Sequence, residues 1–437
     1  MSTTEKETRY VPGGYHPVII GDILGYSSQR QYRIMHKLGW GYYSTVWLAQ
    51  TMDEINALVA VKITTADSDN STQISREVEM LQKAGRAHPD NICSYFPTLL
   101  DHFKLHGPNG THTVLVTEVV IPILSLPEQP PAWRKAAAYG VAQAMAQLHA
   151  NQIIHGDWHR GNIGIAMPRL ASQDPGDVMF DLAPPDITIA LTVDAAKQTA
   201  SLPAYFISPC EMGAYYKKIA GSDSPQIKIL DFGSAHDVGA HPHTLRCALE
   251  AYAPEMVSAQ LFENKDNPAL DPPAEVWALG VTVGMRGLPF HMSKLAGHIP
   301  PHWEKWSASL SDRNITQADM EEWWASHWKT LREGCENDED TAALVRLLKV
   351  VLVLDPKERP TAAQIGFALH FPDFSLEMLS HSIQEDDGKF TLPVLRSQKI
   401  TIAVIHGKAA GINDLPGLDL RPQPVPLEAS GEWWRMA

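Results

Sequence analysis

The chain is short of the features that mark several large classes of protein. Four cysteines stand among 437 residues, Cys93, Cys210, Cys247 and Cys335, far apart and with no Cys-x-x-Cys. Such spacing offers no disulfide framework and fits free thiols in a reducing compartment. No run of eighteen apolar residues occurs, so no membrane-spanning helix is expected. Met1 to Tyr10 is polar and charged, without the apolar stretch of a signal peptide. Basic residues are in deficit, 36 Lys+Arg against 50 Asp+Glu, for a net charge of −14. That argues against direct nucleic-acid binding, which favours a basic patch. It is compatible with a basic peptide substrate, although mild acidity is also an ordinary solubility device. No internal repeat is found. What is present is a 44% hydrophobic fraction, enough for a sizeable core, and a length suited to two or three domains or one large two-lobed one.

The chain is organised around Ile154-His155-Gly156-Asp157-Trp158-His159-Arg160-Gly161-Asn162. An apolar pair, Ile153 and Ile154, runs into a His-x-Asp, and Asn162 follows five residues after Asp157. Later, Ile227-Lys228-Ile229-Leu230 delivers Asp231-Phe232-Gly233. Asp157 can accept a proton from a hydroxyl. Asn162 and Asp231 offer hard oxygens suited to Mg²⁺, which keeps several waters and needs few protein carboxylates when phosphates complete its shell.

Upstream, Leu38-Gly39-Trp40-Gly41-Tyr42-Tyr43-Ser44-Thr45-Val46-Trp47 reads as Gly-x-Gly-x-x-Ser between two β-type runs. Small residues let the backbone close over phosphates. A dinucleotide-binding turn would need a helix after the glycines, whereas Thr45-Val46-Trp47-Leu48 favours a strand. Leu58 to Ile63 is a strand pattern with one cation, Lys62, inside an apolar run, a costly placement unless paired. Glu77, on a predicted helix with Met80 and Leu81 on its inward side, is the expected partner, with Glu79 as competitor. Val114 to Val120 is a buried-strand run ended by Pro122. Trp133 to Ala150 has Ala137, Val141, Met145 and Leu148 at helical spacing. From Asn162 to Asp231 is 69 residues, far more than a hairpin between two ligands needs, so 168–221 reads as an insertion, partly ordered, with a strand at Ile187–Val193. Ser234 to Tyr252 leads to Ala253-Pro254-Glu255, and Arg359 is the expected bidentate partner of Glu255. Asp271 to Gly280 begins a helix with Trp277 inward. The tryptophans of 300–335 suit amphipathic packing.

This series resembles the protein kinases. More narrowly, Tyr15-His16-Pro17-Val18-x-Ile20-Gly21-Asp22 and Lys37-Leu38-Gly39-Trp40-Gly41-x-x-Ser44-Thr45-Val46-Trp47-Leu48 resemble the SR-protein kinases over roughly 15–372. The resemblance implies an α+β, two-lobed fold with a small β-rich N-lobe and a larger, mainly helical C-lobe. The implied division is N-lobe over 15–121 and C-lobe over 122–372 carrying the insertion. From the residues themselves, 1–14, polar and ending in Pro-Gly-Gly, read as a flexible arm, and 373–437 as an extension with a strand expected at Lys399–Ile405 and Trp433 and Trp434 as docking residues. The resemblance also implies an ATP- and Mg²⁺-dependent serine/threonine kinase of Arg/Ser-rich proteins, acting as a monomer in cytoplasm or nucleus. Lys62 would hold the α- and β-phosphates, Glu77 would position Lys62, Asp157 would orient the nucleophile, and Asn162 and Asp231 would hold the metal. Leu38 to Val46 would cover the nucleotide, and backbone near Glu118 and Val120 would hold its base. Several residues depart from the pattern. His159 stands where a lysine is usual, Ala248 where a threonine is usual, Glu275 where an aspartate is usual and Gly156 where an arginine is common. Arg160, shifted by one, could supply the missing cation. These departures leave a nucleotide-binding pseudokinase or scaffold as an alternative. The His-Gly-Asp loop, which resembles the aminoglycoside- and choline-type phosphotransferases, leaves a small-molecule kinase as another.

Overall fold

A computed structural model describes residues 4–25, 30–66, 70–86, 94–190, 199–220, 224–240, 251–263, 268–281, 292, 299, 303–309 and 316–370. Ala248, most of the segment before Ala253, the extension from 373 with its expected strand at 399–405, Trp433 and Trp434, and Cys93 and Cys247 lie outside the described residues. Contacts divide the chain into two units. One holds the residues up to Glu128 with Arg160–Ala235; the other holds Gln129–His159 with the described residues from His236 onward.

The first unit is built on six antiparallel strands: β1 Ile23–Leu24, β2 Tyr32–Gly41, β3 Ser44–Thr51, β4 Leu58–Thr64, β5 Leu99–Gly107 and β6 Gly110–Thr117, in the order β1-β2-β3-β4-β6-β5. β4 is paired on both sides, Lys62 opposite Val46 on β3 and Leu115 on β6. The β-branched and aromatic residues of these strands, Tyr32, Ile34, Trp47, Val59, Val61, Ile63, Val114 and Val116, bury together as the core. Helix α1, Asn70–Arg86, follows β4. A second, three-stranded sheet has Ile163–Ala166 between Val120–Pro122 and Ile227–Ile229. Gly164 lies at its centre, where an added Cβ would come within 2.4 Å of Val120.

Two expectations are corrected here. Polarity and a closing Pro-Gly-Gly predict a mobile arm over 1–14, of which 4–14 are described. Instead Glu7–Arg9 forms a 3-10 turn, and Glu5 and Tyr10 are buried. Polarity misled because Glu5 finds Lys37, a fully buried lysine of β2, and Tyr10 donates to the same carboxylate at 2.5 Å. The insertion was assigned to the larger lobe and expected to be partly ordered. It contains a 3-10 turn, Pro168–Ser172, helices Pro175–Asp181 and Met212–Ala220, and a strand pair, Ile187–Ile189 with Tyr205–Ile207. Its contacts are with the first unit: Ile207 joins the sheet core, Phe206 packs on Tyr10, Tyr205 accepts from the Ile20 amide at 3.1 Å, and the Cys210 amide donates to Lys37. The expected strand ends early, at Ile189; 191–198 lie outside the described residues.

The second unit is helical. Helix α2, Pro131–Ala150, begins with proline at its first position, where a missing N–H is harmless. Ala137, Val141, Met145 and Leu148 are all buried, as their spacing predicts. Ile153–Ile154 pairs with His236–Asp237. The helices Pro254–Glu263, Pro272–Val281, Gln317–Glu333, Asp338–Val351 and Ala362–His370 follow. Trp277 and Trp306 are fully buried and Trp324 nearly so, consistent with packing roles. Among the described residues no helix is long and apolar enough to cross a membrane.

Candidate active site

The glycine-rich stretch forms the β2–β3 hairpin. Leu38, Gly39, Trp40 and Gly41 end β2; Ser44, Thr45 and Val46 begin β3, in the register Gly41 to Ser44, Trp40 to Thr45 and Gly39 to Val46. Tyr42 and Tyr43 make the turn. Thr45 is fully buried and accepts from the Trp47 indole at 3.0 Å. A side chain at Gly39 would meet no atom within 4 Å, so this backbone faces open space that a ligand can approach.

Lys62 lies on the central strand β4. Its ammonium donates to Glu77 Oε1 at 2.6 Å and to Asp231 Oδ1 at 2.8 Å. Glu77 is buried whereas Glu79 is exposed, so the inward face of α1 carries the former. Burial alone would lower the Lys62 pKa, but Asp231 and Glu77 outweigh it and raise it above its usual 10.5. The lysine therefore stays charged. Asp231 adopts a left-handed backbone, φ 60° and ψ 80°, rare for a residue with a side chain, and its carboxylate caps the following turn by accepting from the Gly233 amide. Phe232, buried edge-to-face on Phe96, anchors that turn. Asn162 directly precedes Ile163, which pairs with Ile229, and the Leu230 amide donates to the Asn162 carbonyl at 2.8 Å. The strand pair thus sets Asn162 opposite Leu230, the residue before Asp231, so both side chains issue from the same end of it.

These donors fit a Mg²⁺-phosphate ligand. The Asp231 side chain is 40% exposed beside a permanently charged Lys62 that is itself 20% exposed, and both Asp231 and Asn162 offer hard oxygens. Among the described residues no cluster of three His, Cys, Asp or Glu could hold a metal. A cation that draws most of its shell from phosphate and water does not require one.

Around Glu118 the structure adds what side-chain reading missed. Its amide donates to Thr98 O, so that N–H is engaged within the protein; its carboxylate accepts from the Thr98 amide and hydroxyl and from Lys228 at 2.7 Å. Val120 opens the strand paired with Ala166. Lys228 also donates to Phe96 O. The signal was available: like Lys62, Lys228 is a single cation inside an apolar run.

Asp157 belongs to the helical unit. Its loop is held from below by Glu275, a buried carboxylate that accepts from the Gly156 amide at 2.9 Å and hydrogen-bonds His149 at 2.9 Å. Burial would raise the Glu275 pKa; the hydrogen bond and charge of His149, with His155 and the Gly156 amide, lower it on balance. Gly156 has φ +82°, a left-handed conformation that favours glycine over the arginine common there. The Asp157 amide donates to His155 at 3.3 Å, and His159 Nε2 lies 3.4 Å from Asp157 Oδ2. In the sheet unit, Arg160 has a buried Nη1 with no hydrogen-bond partner among the described residues. The Arg359 pair expected from sequence is present, bidentate to Glu255 at 2.7 and 2.7 Å.

No family model matches the chain. Curated proteins match over part of it. The serine/threonine-protein kinase SKY1 of Saccharomyces cerevisiae is 42% identical over 115 residues, 25% of this chain and 15% of that protein. The protein kinase dsk1 of Schizosaccharomyces pombe is 34% identical over 178 residues, 39% of this chain and 32% of that protein. Human SRSF protein kinase 3 is 33% identical over 117 residues, 26% of this chain and 20% of that protein. The matches therefore span 15–32% of the length of these relatives. A crystal structure of a kinase domain aligns with a TM-score of 0.52 at 16% identity, covering 80% of this chain and 97% of that one. The fold is that of a protein kinase. The sequence likeness is to kinases of the SRPK type. In kinase terms the sheet unit carries the glycine-rich loop, Lys62, Glu77, Asn162 and Asp231, and the helical unit carries Asp157.

Proposed function

We propose that the chain is an ATP- and Mg²⁺-dependent serine/threonine protein kinase of SRPK-like character. The observation that carries this reading is the charged Lys62 held between Glu77 and Asp231. Two carboxylates converging on one lysine, partly open to solvent, suit an ammonium that must meet phosphate oxygens without losing its proton. In this reading Lys62 binds the α- and β-phosphates, and Glu77 orients it. The backbone of Leu38 to Val46 covers the phosphates, and the carbonyl of Glu118 with the backbone of Val120 holds the base. Asn162 and Asp231 hold Mg²⁺, which would neutralise charge on the β- and γ-phosphate oxygens. Asp157 accepts the hydroxyl proton of a serine or threonine. Such chemistry is mostly positioning and charge neutralisation. The net charge of −14 suits a basic, Arg/Ser-rich substrate.

A second reading rests on His159 beside Asp157 in place of a lysine. There the chain binds Mg·ATP as a scaffold without transferring phosphate. The test runs Arg/Ser peptides and a panel of small alcohols side by side with Mg·ATP, using wild type and Asp157→Asn. Peptide phosphorylation reduced about 10²–10⁴-fold by Asp157→Asn supports the kinase. Binding without turnover selects the scaffold, transfer to alcohols alone selects a small-molecule kinase, and equal transfer by the variant refutes the assigned role of Asp157.

A further inference from the structure

The tip of the glycine-rich hairpin is not left to itself. Three successive carbonyls, those of Gly41, Tyr42 and Tyr43, each accept a hydrogen bond from outside it. The Tyr15 hydroxyl donates to Gly41 O at 2.5 Å, Arg9 Nη2 to Tyr42 O at 2.9 Å, and the Thr65 amide to Tyr43 O at 2.8 Å. The Arg9 guanidinium also lies 4.1 Å from the Tyr42 ring centroid and 5.4 Å from that of Tyr15. Arg9 and Tyr15 are brought side by side by a tight turn in which the Tyr15 amide donates to Arg9 O. Gly14 is required there, because a Cβ would sit 1.8 Å from that carbonyl. The turn is anchored by Gly13 N to Asn109 O, by Asn109 Nδ2 to Tyr15 O at 2.6 Å, and by Ala66 N to Gly14 O.

We propose that Arg9 and Tyr15 are positioning residues for nucleotide binding, a strap that presets the glycine-rich loop by its backbone. The inference rests on the ATP-binding reading above. A peptide unit is planar and trans, so fixing a carbonyl also fixes the following N–H on the opposite side. Tying the carbonyls of Gly41 and Tyr42 turns the amides of Tyr42 and Tyr43 away from the strap, the arrangement that makes a backbone anion cradle, while the Ser44 amide faces Gly41 across the hairpin. The strap thereby reduces the ordering cost the nucleotide would otherwise meet. Burial, partly offset by Arg9, pushes the Tyr15 hydroxyl up to about 12, so it remains a donor throughout the working pH range.

The experiment compares Tyr15→Phe and Arg9→Ala with Tyr10→Phe, which breaks only the bond to Glu5 in the same segment. Amide hydrogen exchange of 39–44 is measured without nucleotide, Mg·ATP affinity by calorimetry, and KM for ATP and kcat with peptide. Tyr15→Phe, which deletes one oxygen atom, should weaken Mg·ATP about fivefold and speed loop exchange, with kcat within about twofold. Arg9→Ala should do the same to a larger extent, and Arg9→Lys should recover part of the loss. Tyr10→Phe should match wild type in affinity and loop exchange. Should Arg9→Ala fail to fold, Tyr15→Phe alone decides. A Tyr15→Phe protein with wild-type affinity and loop exchange overturns the strap while leaving ATP binding standing. A wild type that binds no Mg·ATP overturns the functional reading itself.

Discussion

Glu275 offers a sharp test of how the Asp157 loop is held. It is 1% exposed, and its two oxygens serve different elements: Oε1 takes the Gly156 amide and Oε2 meets His149, both at 2.9 Å. Glu275→Ala orphans the buried Gly156 N–H and a ring nitrogen of the partly buried His149. Each unsatisfied group costs about 1–3 kcal/mol, so a total of about 2–6 kcal/mol is expected. Glu275→Asp restores the residue usual in kinases but shortens the reach by one bond of about 1.5 Å. At 2.9 Å that is enough to lose one of the two contacts unless the helix moves, so a cost of about 1–2 kcal/mol is expected. Because the folded carboxyl is held below its ordinary value, its stabilising contribution is present above that value and is lost as pH falls through the lowered folded one. Glu275→Gln should therefore narrow its gap to wild type on acidification. The assay is urea unfolding of each variant from neutral to acid pH, with peptide phosphorylation measured alongside. A Glu275→Asp protein as stable and as active as wild type would show that the second carboxylate contact does not support the loop.

Arg359→Lys should cost about 3–5 kcal/mol in urea unfolding, because Arg359 also donates to the carbonyls of Val353, Pro273 and Leu354, and lysine leaves most of these and Glu255 unmatched; a loss under about 1 kcal/mol contradicts the arrangement. The pair formed by the partly buried His16 and the buried His112 should make the sheet unit acid-sensitive. Burial, then the proximity of His112, takes His16 from 6.5 to about 4, so the unfolded chain binds the proton first and stability declines as pH falls from about 6.5 toward 4. His16→Gln should flatten that slope, and an unchanged slope counts against it.

Much of the fold was legible because its strands and helices obey their periods. Lys62, an isolated cation in an apolar run, demanded a partner, and the two-residue choice on α1 was decided by which glutamate shares the side of Met80 and Leu81. Arg359 and Glu255 were legible as a pair. The N-terminal segment was not. Its polarity signals a solvated arm only if its charges face water, and here Glu5 is neutralised by a lysine thirty-two positions away that reads, in sequence, as an ordinary strand residue. The packing of the insertion was hidden for a similar reason: Phe206 and Ile207 form a short apolar strand whose destination no local pattern states. Glu118 and Lys228 were missed because the base-binding reading used only backbone groups.

Three of the lysines that meet carboxylates in the sheet unit, Lys37, Lys228 and Lys62, are not alike. Lys37 with Glu5 is closed to water, 0% and 1% exposed, and burial lowers the lysine pKa despite its partner. A pair of that kind repays little in stability beyond its desolvation cost, and its effect is to fix where the N-terminal segment lies. Lys228 with Glu118 is half-open and shares its carboxylate with Thr98, so it locks a backbone corner. At Lys62 two carboxylates meet one ammonium, and the pKa of the lysine moves upward instead. With both carboxylates ionised the trio carries one excess negative charge. A purely structural ion pair gains nothing from that excess, and a 40% exposed Asp231 gives it no shelter. A divalent cation on Asp231 would offset it, leaving Lys62 to meet the phosphate oxygens that the cation also holds. Exposure and charge imbalance, more than proximity, therefore separate the trio that would bind a ligand from the two pairs that only hold the fold.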